Sequence, residues 1–167
     1  IPDDITEINE FAFKGCSSIS SLKVHDAVTS ISNYAFQACE SLTCVIIPST
    51  CPNIGNYAFS DCSSLSQVAI GNNGITSIGS GAFSGCSSLT SIIIPDSVIN
   101  IYNQAFEKCT GLISVTIGNG VTNIGSSAFY GCTGLTSVTI PDSVTTIGDY
   151  AFATCSELAS ISIPDSV

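Results

Sequence analysis

The sequence predicts a solenoid of seven stacked coils. A parallel β-sheet lines its concave face, and short extended segments followed by 3₁₀ or helical turns form its convex side. Three observations predict this. The pair Ala-Phe recurs at 12–13, 35–36, 58–59, 82–83, 105–106, 128–129 and 151–152, in steps of 23, 23, 24, 23, 23 and 23. A Cys follows each Phe by three residues, at 16, 39, 62, 86, 109, 132 and 155. A short β-branched alternation, such as Ser-Val-Thr-Ile at 137–140, recurs once per period.

The elements of one unit follow in order. Ile8, Ile31, Ile54, Ile78, Ile101, Ile124 and Ile147 each precede a Phe by five and open the unit with a brief extended segment. The Ala-Phe-x-x-Cys stretch that follows is too short for a stable helix and reads as a turn. Three residues after each Cys comes Ile19 or one of Leu42, Leu65, Leu89, Leu112, Leu135 and Leu158. The V-x-I strand comes next, and Pro-Asp or Gly-Asn then makes a corner. The one 24-residue step is explained by Gly-Asn-Asn-Gly-Ile at 71–75, where an extra residue enters the corner. No unit can bury its apolar side alone, whereas stacked units can, with equivalent residues about 4.8 Å apart. Residues 1–167 thus read as a single solenoid domain of seven 23- or 24-residue repeats. Neither end shows an atypical capping unit, so the chain is expected to be part of a longer array.

Composition narrows the function classes. Hydrophobic residues make up 44% and charged residues 10%, which is too apolar for disorder. Thirteen acidic residues stand against three Lys, and the net charge of -10 argues against nucleic acid and against anionic membrane surfaces. No apolar run approaches the roughly 20 residues of a membrane span. The chain contains no Met and no N-glycosylation sequon, and a processed or partial product is expected.

The unit I-G-x-x-A-F-x-x-C-x-x-L-x-x-V-x-I-P-x-x-V resembles the BspA-like, or Treponema pallidum type, leucine-rich repeat, and the resemblance covers all 167 residues. It implies a non-enzymatic protein-binding or adhesion module of a cell-surface or secreted protein. It carries no catalytic motif to transfer, and no cofactor is expected.

Several residues invite other chemistry. The Cys ladder reads as core, because a buried Cys behaves as a small hydrophobe and no C-x-x-C spacing suggests zinc. Cys51 occupies an aliphatic slot, whereas Cys44 should face solvent and is the candidate reactive thiol. Asp3, Asp26, Asp96, Asp142 and Asp165 share one corner slot. A Ca²⁺ row would need six to eight oxygens, so local turn bonding by each side chain is the better reading. His25, the only histidine, replaces a corner Pro and lacks a nucleophile, an orienter and an oxyanion pocket. Phe11, Tyr34, Tyr57 and Tyr150, just before Ala-Phe, form either an aromatic contact row or turn packing.

The concave face is the best binding candidate. Its outward positions are Ser21, Lys23, Cys44, Ile46, Gln67, Ala69, Ser91, Ile93, Ser114, Thr116, Ser137, Thr139, Ser160 and Ser162. They are small and mostly hydroxylic, and none is a Trp, Tyr or Arg anchor. The expected partner is a protein, from a host or its matrix, or a copy of this chain. The alternative function is structural, with solenoids stacking end to end into filaments through unpaired sheet edges.

Overall fold

The computed structural model describes residues 1–2 and 4–167, and shows a parallel β-solenoid of fourteen short strands without helices among them. Each coil contributes two strands. Seven two-residue strands pair in sequence order as one sheet: β1 (Glu7–Ile8), β3 (Ser30–Ile31), β5 (Asn53–Ile54), β7 (Ser77–Ile78), β9 (Asn100–Ile101), β11 (Asn123–Ile124) and β13 (Thr146–Ile147). The longer strands are β2 (Ser21–Lys23), β4 (Cys44–Ile47), β6 (Gln67–Ile70), β8 (Ser91–Ile94), β10 (Ser114–Ile117), β12 (Ser137–Thr139) and β14 (Ile161–Ser162). They were expected to form one sheet. They form two, β2-β4-β6 and β8-β10-β12-β14.

The register follows the sequence period. Val115 lies beside Ile92 on one side and Val138 on the other, and Ile124 lies between Ile101 and Ile147. A column of Phe rings fills the core: Phe13, Phe36, Phe59, Phe83, Phe106, Phe129 and Phe152 stack with centroids 5.1–5.5 Å apart and planes within 8°. The ring spacing is the coil spacing plus a small offset, which suits stacked aromatic quadrupoles. The middle five rings are fully buried, while Phe13 and Phe152 of the outer coils are partly exposed.

The Ala-Phe-x-x-Cys segment is a run of hydrogen-bonded turns, not the 3₁₀ or helical turn that was expected. Two residues in every coil have positive φ, and these break any helix. One slot holds Phe11, Tyr34, Tyr57, Gly81, Gln104, Ser127 and Tyr150; the other holds Gly15, Ala38, Asp61, Gly85, Lys108, Gly131 and Thr154. The turns are instead tied from coil to coil. Phe36 N–H donates to Ala58 O (2.8 Å) and Ala38 N–H to Ser60 O (2.8 Å), both toward the next coil. Strand amides run the other way, as in Thr29 N–H to Thr6 O (2.8 Å) and Ser32 N–H to Ile8 O (2.9 Å).

Candidate binding face

Strand alternation sets this face. In β8 and β10 the residues run exposed-buried-exposed-buried, so Ile92, Ile94, Val115 and Ile117 point into the core. Ser91, Ile93, Ser114 and Thr116 point out. The same alternation leaves Ser21, Lys23, Ile46, Gln67, Ala69, Ser137 and Thr139 exposed, whereas in the last coil Ser160 and Ser162 are exposed together with Ile161 and Ile163 between and beside them. Cys44 is half-buried rather than fully solvent-facing. The outward row is therefore where it was expected. Ile46 (51% exposed) and Ile93 (67%) are its most exposed aliphatic side chains.

Two adjoining depressions mark the middle of this face, where β6 and β8 meet. One, of about 310 Å³, is lined by Val68, Ala69, Ile70, Asn72, Ser91 and Ile93. The other, of about 390 Å³, reaches Cys44, Ile46, Ser66, Gln67 and Thr90. Sequence reasoning missed this cleft. The extra residue at 71–75 was its signal, and it was read only as a wider corner.

The cysteines have a structural job. All nine are free thiols. From Cys39 onward, each ladder Sγ–H donates to the carbonyl of the Phe one coil back: Cys39 to Phe13, Cys62 to Phe36, Cys86 to Phe59, Cys109 to Phe83, Cys132 to Phe106 and Cys155 to Phe129, at 3.1–3.2 Å. Each of these carbonyls also accepts the N–H of the Cys in its own coil, as Phe83 O does from Cys86 N–H (3.2 Å), so the thiol is its second donor. A Ser here would bury a stronger polar group, and an Ala would remove that second donor; a thiol is apolar enough to pack and polar enough to donate. Burial pushes the thiols of Cys62 and Cys109 up from 9.0 to about 12 and lifts Cys86 well above the ordinary range. Cys51 donates to Val28 O (3.3 Å) in the core, and burial raises it to about 11.

The corner residues also bond between coils. Asp96 Oδ1 accepts the N–H of Asn119, one coil on (2.7 Å), so its contact is not the local turn bond that was expected. Asp3 lies outside the described residues. The hydroxyls of Thr50, Ser97, Ser143 and Ser166 donate to the core carbonyls of Val28, Ile75, Val121 and Val144 at 2.6–2.8 Å. His25 is tied at both nitrogens, with Nε2 2.7 Å from Pro2 O and Nδ1 accepting from Ala27 N–H (3.3 Å). Its ring bridges two corners, which leaves neither nitrogen free to act as a base. Among the described residues no group of three or more His, Cys, Asp or Glu could hold a metal ion.

The aromatic row before Ala-Phe is divided. Phe11, Tyr34 and Tyr57 stack at 5.0–5.2 Å, with Lys14 Nζ 5.3 Å from the Phe11 centroid and 5.8 Å from that of Tyr34. The stack stops at Gly81, where a Cβ would stand 2.2 Å from Cε1 of Tyr57. Tyr150 stands apart and is 72% exposed.

Comparison with known proteins agrees with this architecture. The model of the BspA type leucine-rich repeat region matches in six copies over residues 1–112 and 76–167. A leucine-rich repeat protein of Eubacterium ventriosum superposes on the whole chain with a TM-score of 0.90 at 23% identity, and the chain covers 44% of it. The Treponema pallidum leucine-rich repeat protein matches 87% of the chain at 30% identity, with a TM-score of 0.72, and 64% of its own length is covered. A leucine-rich cell surface protein of Faecalibacterium prausnitzii matches 86% of the chain at 29% identity, with a TM-score of 0.64 and 31% of its length covered. No curated protein sequence matches. The chain thus spans less than two thirds of each of these structures. With the Ala-Phe turn, the Cys ladder and the V-x-I strand each present in coil after coil, the chain belongs to the BspA-type leucine-rich repeat family.

Proposed function

We propose that the chain is a non-enzymatic protein-binding module of a cell-surface or secreted protein, and that the face carrying the longer strands, β2, β4, β6, β8, β10, β12 and β14, engages the partner. One observation carries this reading: the outward row from Ser21 to Ser162 is exposed on every coil and bears a single charged side chain, Lys23. A surface kept neutral in a chain of net charge -10 costs little to desolvate. The turn side, by contrast, carries exposed charges such as Glu10, Lys14, Lys108 and Asp149. The Faecalibacterium neighbour, described as a cell surface protein, supports the location. No helix among the described residues is long and apolar enough to cross a membrane.

The test is binding of the purified chain to immobilised extracellular-matrix proteins by interferometry. Thr116→Arg and Thr139→Arg, which place bulk on exposed strand positions, should weaken binding at least tenfold, while Tyr150→Ala on the turn side should leave it within twofold. Binding lost in Tyr150→Ala and kept in the two strand variants would move the site to the turns.

A further inference from the structure

The long-strand face is broken at one place. Thr43 N–H donates to Ser20 O (2.9 Å), Ser66 to Thr43 (3.0 Å), Ile113 to Thr90 (2.9 Å) and Thr136 to Ile113 (3.1 Å), each across one coil. Among the described residues Thr90 makes no such bond to Ser66, and β6 and β8 belong to separate sheets. Between them one strand's carbonyl edge faces the other's amide edge without joining. Backbone groups so placed need water or a ligand as partner.

The cause is local. The coil of β6 carries the extra corner residue, and Asn73 within that corner has φ 69°. One more residue adds about 3.4 Å of contour, enough to hold β6 away from ladder distance. The two-residue strands on the other side of the coil absorb the insertion, for Asn53 still pairs with Ser77. As a result Val68 and Ile70 are only half-buried, whereas Val45, Ile47, Ile92 and Ile94 at the same slots are buried.

The cleft left behind has a definite chemistry. Its lining residues carry no charge at all. Ile46 and Ile93 stand at its sides and Ala69 between them. Two acidic residues flank it, exposed Glu40 four residues before β4 and exposed Asp96 two after β8, while the one cation of this face, Lys23, pairs with Ile46 on the side of β4 away from the cleft. An aliphatic side chain would cover the apolar part, and cationic flanks would meet the two carboxylates. An extended segment supplies both, because its side chains alternate and its main chain carries donors and acceptors for the open edges.

We propose that the seam between β6 and β8 is a docking cleft for an extended basic segment of a partner protein, seating an aliphatic side chain over Ala69 between Ile46 and Ile93. The proposal rests on the protein-binding reading of this face and narrows it to one place and one partner chemistry.

The test uses a fluorescein-labelled seven-residue peptide alternating Lys and Val, read by anisotropy. Two control peptides replace Val by Ser or Lys by Glu. The Lys/Val peptide should bind, and each control should bind at least tenfold more weakly. Deletion of Asn73 restores the 23-residue step. It should close the seam, slow amide exchange at 90–94 to the level of 113–117, and weaken the peptide at least tenfold. Ala69→Arg changes an exposed side chain without touching the core and should do the same to binding, while Tyr150→Ala on the turn side should leave it within twofold. Absence of binding by the Lys/Val peptide would overturn the proposal. So would unchanged affinity in Ala69→Arg together with a folded Asn73 deletion that still binds. The matrix-protein assay with Thr116→Arg decides the broader face reading separately, so the two can fail independently.

Discussion

At the scale of single residues, the repeated letters divide their work between filling the core and satisfying backbone groups of the coil before. The Phe fills, the Cys fills and donates, and the Ser of the Pro-Asp-Ser-Val corner donates to a core carbonyl. The buried thiols make stability depend on alkaline pH. Cys62 and Cys109 keep their protons up to about 12 in the folded chain, against 9.0 for an ordinary thiol. A raised folded value means that the contribution is complete below about pH 9 and is lost as pH rises from there toward 12. Each such thiol steepens the decline by about 1.4 kcal/mol per pH unit. Urea unfolding between pH 8.5 and 11 should therefore show a shallower decline in Cys109→Ala than in the parent chain; equal slopes would sink the argument. The apolar role of the ladder was legible from its spacing. Its donor role was not, because the acceptor Phe lies 26 residues back, and only the phase of the stack brings the two together.

At the scale of elements, the seven units are alike in fold but unequal in strain. Both turn slots require positive φ, which costs an ordinary L-residue about 1–2 kcal/mol. Gly relieves the second slot at 15, 85 and 131, whereas Ala38, Asp61, Lys108 and Thr154 sit there without that relief. Ala38→Gly should raise stability by about 0.5–1 kcal/mol after the entropy of Gly is counted, read as a higher urea midpoint at unchanged slope. A lower midpoint would mean that the coil-to-coil bonds already remove the strain. The strands and corners were readable from alternation and from Pro-Asp or Gly-Asn. The left-handed slots were only half readable: Gly at 15, 85 and 131 signals one, while Tyr at 34, 57 and 150 disguises the other. The interruption between β6 and β8 was hidden for a different reason. Ser-Ile-Ile-Ile at 91–94 is as good a strand as any in the chain, and pairing fails through the geometry of the preceding corner rather than through composition.

At the scale of the whole molecule, coils are tied almost wholly to their neighbours, and the bond from the Tyr57 hydroxyl to Gln104 Oε1 (3.4 Å), two coils on, is an exception. The two-residue strands join all seven coils in one unbroken sheet, and the longer strands join them three and four at a time. Coils three and four thus lose ladder pairing only between their longer strands, while the short-strand sheet and the turns, as in Phe59 N–H to Ala82 O (2.8 Å), continue across them. The regular register has a mechanical meaning as well. Ser114 pairs with Ser91 and with Ser137, each 23 positions away, so releasing one coil frees one fixed length of chain. Pulled from its two ends, the molecule should give way like a zip, in steps of about 80 Å of contour. Single-molecule force extension would show a sawtooth of that spacing, whereas one abrupt release of the full contour would show that the coils hold or fail together.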